Sequence, residues 1–496
     1  MSLAGLVALV SLVPIGFVVW SLIQAGPERA RALIFRPRVG ELLLNTGFLT
    51  ILTMLACTFL GLGCALLVER TNVVGRRIWG PLLVAPLAIP AFVTSYGWVS
   101  VVPSIDGLSG STLILTLAYF PLVYLPVAGA LRTIDPAWRE QARSLGMGSI
   151  RSFVSVTLPQ LRPALLGGCL LVGIHVLAEF GAFQTLRFST FTTAIYEQFQ
   201  SSFASTAGNM LAIVLVGCCL ILVVGEYLLS RRRTARVGAG SPRVQEPIRL
   251  GRWMAPALLA LSTVVIGALV VPLSSVAYWL GLGGPAVWTS SVWSAAAATL
   301  KIGAIAALMV TVLAFPASYL AVRRRGVVSA TTERISYLAG SMPSLVISLA
   351  LVTVTVHYLK PIYQTQFTLL VAYLLLFLPR AMVSIRAGLA QSRVELEEAS
   401  RALGKASFVT LWRVTLPLAA PGIATAASLV FLAVTTELTA TLMLGPTGFR
   451  TLATRFWSLT GSIDYVAAAP YAALMIGVSV PVTFLLLQQS RRVLGR

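Results

Sequence analysis

The sequence predicts an all-α membrane protein with about twelve transmembrane helices, arranged as two tandem six-helix halves. The 496 residues are 57% hydrophobic and only 11% charged, with a mean hydropathy of +0.87. Apolar runs long enough to cross roughly 30 Å of hydrocarbon recur along the chain. Only helices and closed barrels satisfy every backbone hydrogen bond in lipid, and runs this long specify helices. A loop of the first half is also repeated in the second half.

The candidate spans fall into two groups of six, separated by a polar segment. In the first half they lie near 3–23, 43–68, 78–101, 111–131, 161–178 and 209–229, and in the second near 254–280, 294–322, 335–357, 367–389, 420–442 and 468–488. The polar segment 231–253 contains three consecutive arginines and is punctuated by glycine and proline, which is typical of a linker. The expected organisation is therefore a first half at 1–230, a linker at 231–253 and a second half at 254–496.

The repeated loop is the most informative motif. Residues 140–163 match residues 398–421 at a constant shift of 258, with ten identities in twenty-four positions. Such a duplication predicts two equivalent structural units. The positions of interest are Glu140, Ala142, Gly146, Leu158 and Pro159 in the first copy, and Glu398, Ala399, Gly404, Leu416 and Pro417 in the second.

Each copy predicts a short helix, a turn and a second helix. Carboxylates stand near the start of the first helix, where the helix dipole favours them. Gly146 and Gly404 are expected to end it, because glycine adopts a left-handed turn at low cost. Apolar residues at helical spacing follow in 149–157 and 407–415, which predicts apolar-faced helices held against the membrane surface. The loop could dock a soluble partner, or it could be an inherited duplication without a docking role.

The positive charge of the chain predicts its orientation. The net charge is +21, and nearly all of it lies in alternate inter-span segments on one side of the predicted membrane. Lysine and arginine are enriched in cytoplasmic loops, so both termini and both copies of the loop are expected in the cytoplasm. The arginines are spread over every connection on that side rather than gathered on one face, which argues against nucleic-acid binding.

The repeated loop resembles the EAA loop of importer permeases in the ABC superfamily, in which Glu-Ala-Ala is followed by glycine and then Leu-Pro. The resemblance implies that the ten residues named above form two coupling helices, with Glu140 and Glu398 against ATPase subunits and Gly146 and Gly404 at the turns. Gln141 and Ser400 depart from the usual alanines.

The same resemblance implies the partners. The sequence has no phosphate-binding Gly-Lys-Ser/Thr loop, because its single Gly-Lys, at Gly404, is followed by alanine. No catalytic or metal site is therefore expected in this chain, and no cofactor is expected to bind to it. ATP and magnesium would sit on two copies of a separate ATPase, and a substrate-binding protein would dock on the opposite side. One copy of the fused chain would form the whole pore in a bacterial inner membrane, surrounded by lipid.

The sequences after the fifth span of each half, together with the chain length, look most like the fused ferric-iron permeases. Glu179 and Glu437 obey the shift of 258, as do the pairs Phe191/Phe449 and Thr193/Thr451. Ionisable groups at the end of a span usually line a cavity or bond a neighbour. The two glutamates are therefore candidates for the translocation path or gate, and the alternative is that they fix a helix end.

Other substrates and classes stay open at this stage. Permeases for thiamine, polyamines or oxyanions carry the same loop, and Lys301 within a span is a candidate oxyanion contact or a snorkelling side chain. His175 lies one helical turn before Glu179 and could pair with it. A secondary transporter would also have internal repeats, but there the repeated element would be a broken helix at the membrane midplane.

Overall fold

The computed structural model describes residues 2–135, 137–202, 206–230, 247–323, 331, 335, 340 and 342–493. These residues form helices and connecting turns, and they contain no β-strand beyond an isolated bridge between Thr71 and Ile248. The prediction of an all-α protein is confirmed. Most of the predicted linker, residues 231–246, lies outside the described residues.

The helices are numbered here in chain order. Those before the linker are α1 (Ser2–Ala25), α2 (Pro27–Ile34), α3 (Pro37–Arg70), α4 (Arg76–Val84), α5 (Ala91–Val101), α6 (Gly107–Tyr119), α7 (Pro121–Thr133), α8 (Ala137–Ser144), α9 (Ser149–Ser152), α10 (Leu158–Ala178), α11 (Gly181–Thr185), α12 (Phe191–Ser202) and α13 (Thr206–Ser230). Those after it are α14 (Met254–Val265), α15 (Val271–Gly283), α16 (Ser290–Arg323), α17 (Ser344–His357), α18 (Gln366–Gln391), α19 (Val394–Ala402), α20 (Ser407–Thr410), α21 (Leu416–Thr435), α22 (Thr439–Leu444), α23 (Leu452–Gly461) and α24 (Tyr465–Val493).

The described residues contain nine helices long and apolar enough to cross a membrane, or up to eleven if each of two bent helix pairs is one span. The bent pairs are Leu9–Ala25 with Pro27–Ile34, and Arg76–Ala88 with Ala91–Val101. The predicted span at 335–357 is described mainly at its end, where α17 is a shorter apolar helix of fourteen residues. A chain that crosses the membrane many times is confirmed, whereas the count of twelve stays a prediction.

One compact unit comprises residues 37–193 and 217–278. Its centre is the mutual packing of α3, α7 and α10. Small residues allow close approach there, because a Cβ on Gly168 would lie 2.9 Å from the Cα of Val123. The segment that includes α15 is bound to α5: the indole Nε1 of Trp98 donates to the carbonyl of Gly267 at 3.0 Å, and a Cβ on Gly97 would lie 2.7 Å from the Cα of Pro272.

The other compact unit comprises residues 1–36, 194–216 and 279–496. Its centre is the corresponding trio α16, α18 and α21. Gly388 on α18 meets Gly422 on α21, where an added Cβ would lie within 3 Å of backbone atoms. Helix α1 packs against α16 and α17. Each unit therefore draws on both halves of the sequence, and the boundaries 1–230 and 254–496, which rest on the sequence repeat, stay a prediction.

Candidate functional site: two repeated loops and two capped helix ends

The first repeated loop forms the predicted short helix and glycine turn. Helix α8 carries Glu140 in its first turn, and Glu140 is exposed. Ala142 is buried at 5% exposure. Gly146 has φ +78°, and just beyond it the amide of Met147 donates to the carbonyl of Ala142 at 3.0 Å. A bond that spans five residues around a left-handed glycine is the signature of a Schellman motif.

The second loop repeats this turn in full. Gly404 has φ +76°. The amide of Lys405 donates to the carbonyl of Ser400 at 3.2 Å, and the amide of Gly404 donates to that of Arg401 at 2.9 Å. Both bonds of the Schellman motif are therefore present at the end of α19. Glu398 and Ala399 are exposed on this helix. The prediction of left-handed turns at Gly146 and Gly404 is confirmed.

The segments after the turns differ from the prediction. Residues Ser149–Ala178 and Ser407–Thr435 each form one continuous helix, so the helix predicted after each turn runs directly into the next span. Its placement against the membrane surface stays a prediction. Each passes through a π turn, at Phe153–Thr157 and Leu411–Thr415, immediately before Leu-Pro. Because proline has no N–H to donate four residues back, the turn before it is widened, and the amides of Leu158 and Leu416 donate five residues back to Phe153 and Leu411.

Each loop presents exposed apolar side chains at repeat-equivalent positions. Three pairs of residues are related by the shift of 258: Leu145/Leu403, Ile150/Phe408 and Val154/Trp412. All six side chains are 52% to 82% exposed. The last two residues of the second copy also contact each other, because the rings of Phe408 and Trp412 lie 6.1 Å apart in an edge-on arrangement. Apolar side chains concentrated beside polar ones are typical of protein interaction sites. The chemistry of the loop thus suits a docking surface.

Glu179 binds the backbone and side chains around the short helix α11. Its Oε1 accepts from the amide of Ala182 at 3.0 Å, and its Oε2 accepts from the hydroxyl of Tyr119 at 2.7 Å. The hydroxyl of Thr192 donates to its carbonyl at 2.6 Å. The ring of His175 contacts that of Tyr119 in a tilted arrangement, with centroids 5.4 Å apart, and its Nδ1 lies 2.7 Å from the carbonyl oxygen of Leu171. Tyr119 is thus a partner of both His175 and Glu179.

Glu437 has the same role in the second copy. Its Oε1 accepts from the amide of Ala440 at 3.1 Å, in the first turn of α22. The hydroxyl of Thr441 donates to the carbonyl of Glu437 at 2.9 Å, and Tyr373 places its hydroxyl 2.7 Å from that of Thr441. Both glutamates therefore cap a short helix, which is the geometry expected of the helix-end alternative. Lys301 is exposed on α16.

The repeat register changes after these glutamates. The amide of Phe191 donates to the hydroxyl of Thr46 at 3.3 Å, and the amide of Leu452 donates to that of Thr299 at 2.8 Å. These identical bonds make Phe191 the equivalent of Leu452, so the pairing of Phe191 with Phe449 is wrong.

The adjacent threonine follows the same register. The hydroxyl of Thr193 accepts from the amide of Thr190 at 2.9 Å, and that of Thr454 accepts from the amide of Thr451 at 2.9 Å. Thr193 therefore corresponds to Thr454 and not to Thr451. Relative to the first copy, the second has three extra residues between its glutamate and this helix.

Sequence reasoning missed the side chains that hold these elements in place. Tyr119 and Tyr373 lie within apolar spans, where no motif marks them, and Glu397 stands next to Glu398, which the repeated motif favoured instead. Glu397 is 2% exposed and pairs with Arg323 at 2.8 Å. One signal in the sequence could have indicated Glu397. Arg323 lies at the end of a predicted span, and a guanidinium that is buried there needs a carboxylate partner.

The repeated loops and the many apolar helices define a polytopic membrane protein with two related parts. The family described as binding-protein-dependent transport system inner membrane component matches residues 57–235 and 311–495. The chain belongs to this family and is a fused permease of ABC importers.

Curated relatives cover the chain to different extents. The Fe(3+)-transport system permease protein FbpB 2 of Haemophilus influenzae is 34% identical over 97% of this chain and 96% of its own length. The ferric transport system permease protein FbpB of Actinobacillus pleuropneumoniae is 24% identical over 92% of this chain and 72% of its own length. A probable molybdenum ABC transporter permease of Haloferax volcanii is 29% identical over 46% of this chain and 86% of its own length.

Proposed function

We propose that this chain is the membrane subunit of an importer that moves ferric iron inward. The observation that carries the proposal is the 34% identity, over nearly the full length of both chains, to a permease named for Fe(3+) transport. Similarity to the molybdenum permease, at 29% identity, covers less than half of the chain.

ATP hydrolysis belongs to a separate subunit in this proposal. Two copies of an ATPase would dock on the two repeated loops, one on each, and would carry the ATP and magnesium. The paired exposed apolar residues support two equivalent docking surfaces, and Glu140 and Glu398 add an exposed carboxylate to each. A single copy of the chain, with halves at 1–230 and 254–496, would supply the whole pore. A substrate-binding protein would dock on the side opposite the loops.

The positive charge supports a cytoplasmic location for both termini and both loops. ATP binding would bring the two ATPase subunits together and shift the repeated loops, and this movement would open the path toward the binding protein. Hydrolysis would reset it, as in other gated conformational cycles. Glu179 and Glu437 would contribute by holding the backbone that follows the fifth span of each half, since each carboxylate caps the next short helix.

The direct test is uptake into proteoliposomes that hold this chain with its co-purified ATPase and binding protein. Labelled ferric iron, thiamine, spermidine and molybdate would be compared side by side, with vesicles lacking the ATPase as control. We expect accumulation of iron alone, dependent on both ATP and the binding protein. Uptake of another solute would replace the substrate but keep the importer. Accumulation without ATP would overturn the importer mechanism and favour a secondary transporter.

A further inference from the structure

A buried ion pair ties the second coupling helix, α19, to the end of the long helix α16. The Nε and Nη2 atoms of Arg323 donate to Oε1 of Glu397 at 3.0 and 2.8 Å. The side chains of Arg323 and Glu397 are only 8% and 3% exposed. Nη2 of Arg323 also donates to the carbonyl of Ser392 at 2.9 Å. One guanidinium therefore joins α16, α19 and the residue that ends α18.

The chemistry of the position makes this joint hard to replace. Arg323 has two acceptors, the carboxylate of Glu397 and the carbonyl of Ser392. Ser392 follows α18, which leaves this carbonyl without an intrahelical partner. A guanidinium presents several donors in a fixed planar fork and can serve both acceptors at once. If either charged partner is removed, the other is left buried without its counter-ion, which is strongly unfavourable.

The first coupling helix, α8, differs in sequence at the position of this carboxylate. An ion pair of that unit joins Arg132, near the end of α7, to Glu69, near the end of α3. At the position equivalent to Glu397 under the shift of 258, the sequence has Arg139, which has the opposite charge and cannot accept from an arginine. The docking turn is repeated in the two loops, but the carboxylate that fastens the second helix is not.

We propose that Arg323 is a positioning residue that makes α19 and α16 move as one body. The second loop then transmits ATPase movement through the 34-residue helix α16 as well as through its own span. This inference rests on the proposed coupling role of the loops and adds to it a connection, through Glu397, that the repeated motif does not contain.

The test compares Arg323→Gln and Glu397→Gln with Arg132→Gln, which disrupts an ion pair that does not include a coupling helix. ATP hydrolysis and solute uptake are measured on the assembled transporter. For both variants of the α19 joint we expect uptake per ATP to fall by roughly fivefold to thirtyfold, with ATPase subunits still bound. For Arg132→Gln we expect a change of less than about twofold. Hydrogen exchange of the α19 amides should rise only in the first two variants.

Exchange of the two charges adds a rescue. Arg323→Glu combined with Glu397→Arg restores an ion pair and should recover part of the coupling, although the bond to Ser392 is lost. If Arg323→Gln does not assemble, Arg323→Lys keeps the charge, loses the fork and should show the same defect in weaker form. Unchanged uptake per ATP in these variants, with an active wild type, would overturn the inference alone. A wild type without ATP-dependent uptake would instead overturn the proposed function.

Discussion

The glycine turn of the first loop allows a substitution experiment in which only backbone conformation differs. Gly146 has φ +78°, whereas Gly148, two residues on, has φ −63° and ψ 159° and precedes α9. A Cβ built on either glycine meets no atom within 4 Å. Space is therefore free at both positions, so a difference between the same substitution at the two sites comes from the backbone conformation and from the N-cap position of Gly148.

The expected magnitude follows from that conformation. A non-glycine residue in the left-handed region costs about 1–2 kcal/mol, so Gly146→Ser should lower the population of the intact turn by roughly fivefold to thirtyfold. Gly148→Ser places serine at a helix N-cap, where it is among the favoured residues, and should be neutral or slightly stabilising. Gly146→Asn should fall between the two, because asparagine tolerates this conformation better than most residues.

The assay measures ATP hydrolysis and uptake on the assembled transporter. We expect Gly146→Ser to lower uptake per ATP while the yield of folded chain stays close to wild type. Gly404→Val tests the second copy, since Gly404 has φ +76° and a β-branched residue is a severe outlier there. Equal effects of serine at 146 and 148, or normal transport by Gly404→Val, would refute the reasoning that the left-handed turn positions the coupling helix.

Substitutions at Glu437, Tyr119 and Gly422, with Gly477→Ala as a control, test the packing and the capped helix ends. Glu437→Ala removes the acceptor that caps α22 and should lower the free energy of unfolding by about 0.5–2 kcal/mol. Glu437→Gln keeps a carbonyl oxygen that can accept the same bond. Low iron flux in a stable glutamine variant would mean that the charge itself acts on the path. Tyr119→Phe removes a hydrogen-bond donor to Glu179 and should lower the free energy of unfolding by about 1–3 kcal/mol, measured by thermal unfolding in detergent. Unchanged stability would mean that this bond is unimportant. Gly422→Val should destabilise by about 1–3 kcal/mol through overpacking, whereas Gly477→Ala, which has open space around it, should not; equal stability would contradict the close helix contact.

The sequence predicted the elements that depend on local chemistry. Apolar runs specified the helices, and the duplicated glycines specified left-handed turns because few other residues adopt that conformation. The roles of Glu179 and Glu437 could not be decided, since the choice between a path and a helix cap depends on which atoms the carboxylate meets. Those partners include Tyr119, sixty residues away along the chain from Glu179.

Register and long-range pairing were also beyond the sequence pattern. A constant shift of 258 holds through the repeated loop, but the insertion after Glu437 is evident only from the matching amide bonds of Phe191 and Leu452. The partnership of Arg323 with Glu397 spans 74 positions. This ion pair joins α16 to α19, and the hydrophobic periodicity of the sequence does not indicate that these two segments are in contact.

The division of the chain between its two compact units has a consequence for biosynthesis. Helix α1 packs on α16 and α17, which begin more than 250 residues after α1 ends. At ribosomal speeds this gap corresponds to tens of seconds, during which α1 is in the membrane without its final neighbours. Early insertion and late assembly are thus separate events for this helix. A ribosome that stops at the linker would leave both units unfinished, so each half of the sequence depends on the other for a complete fold.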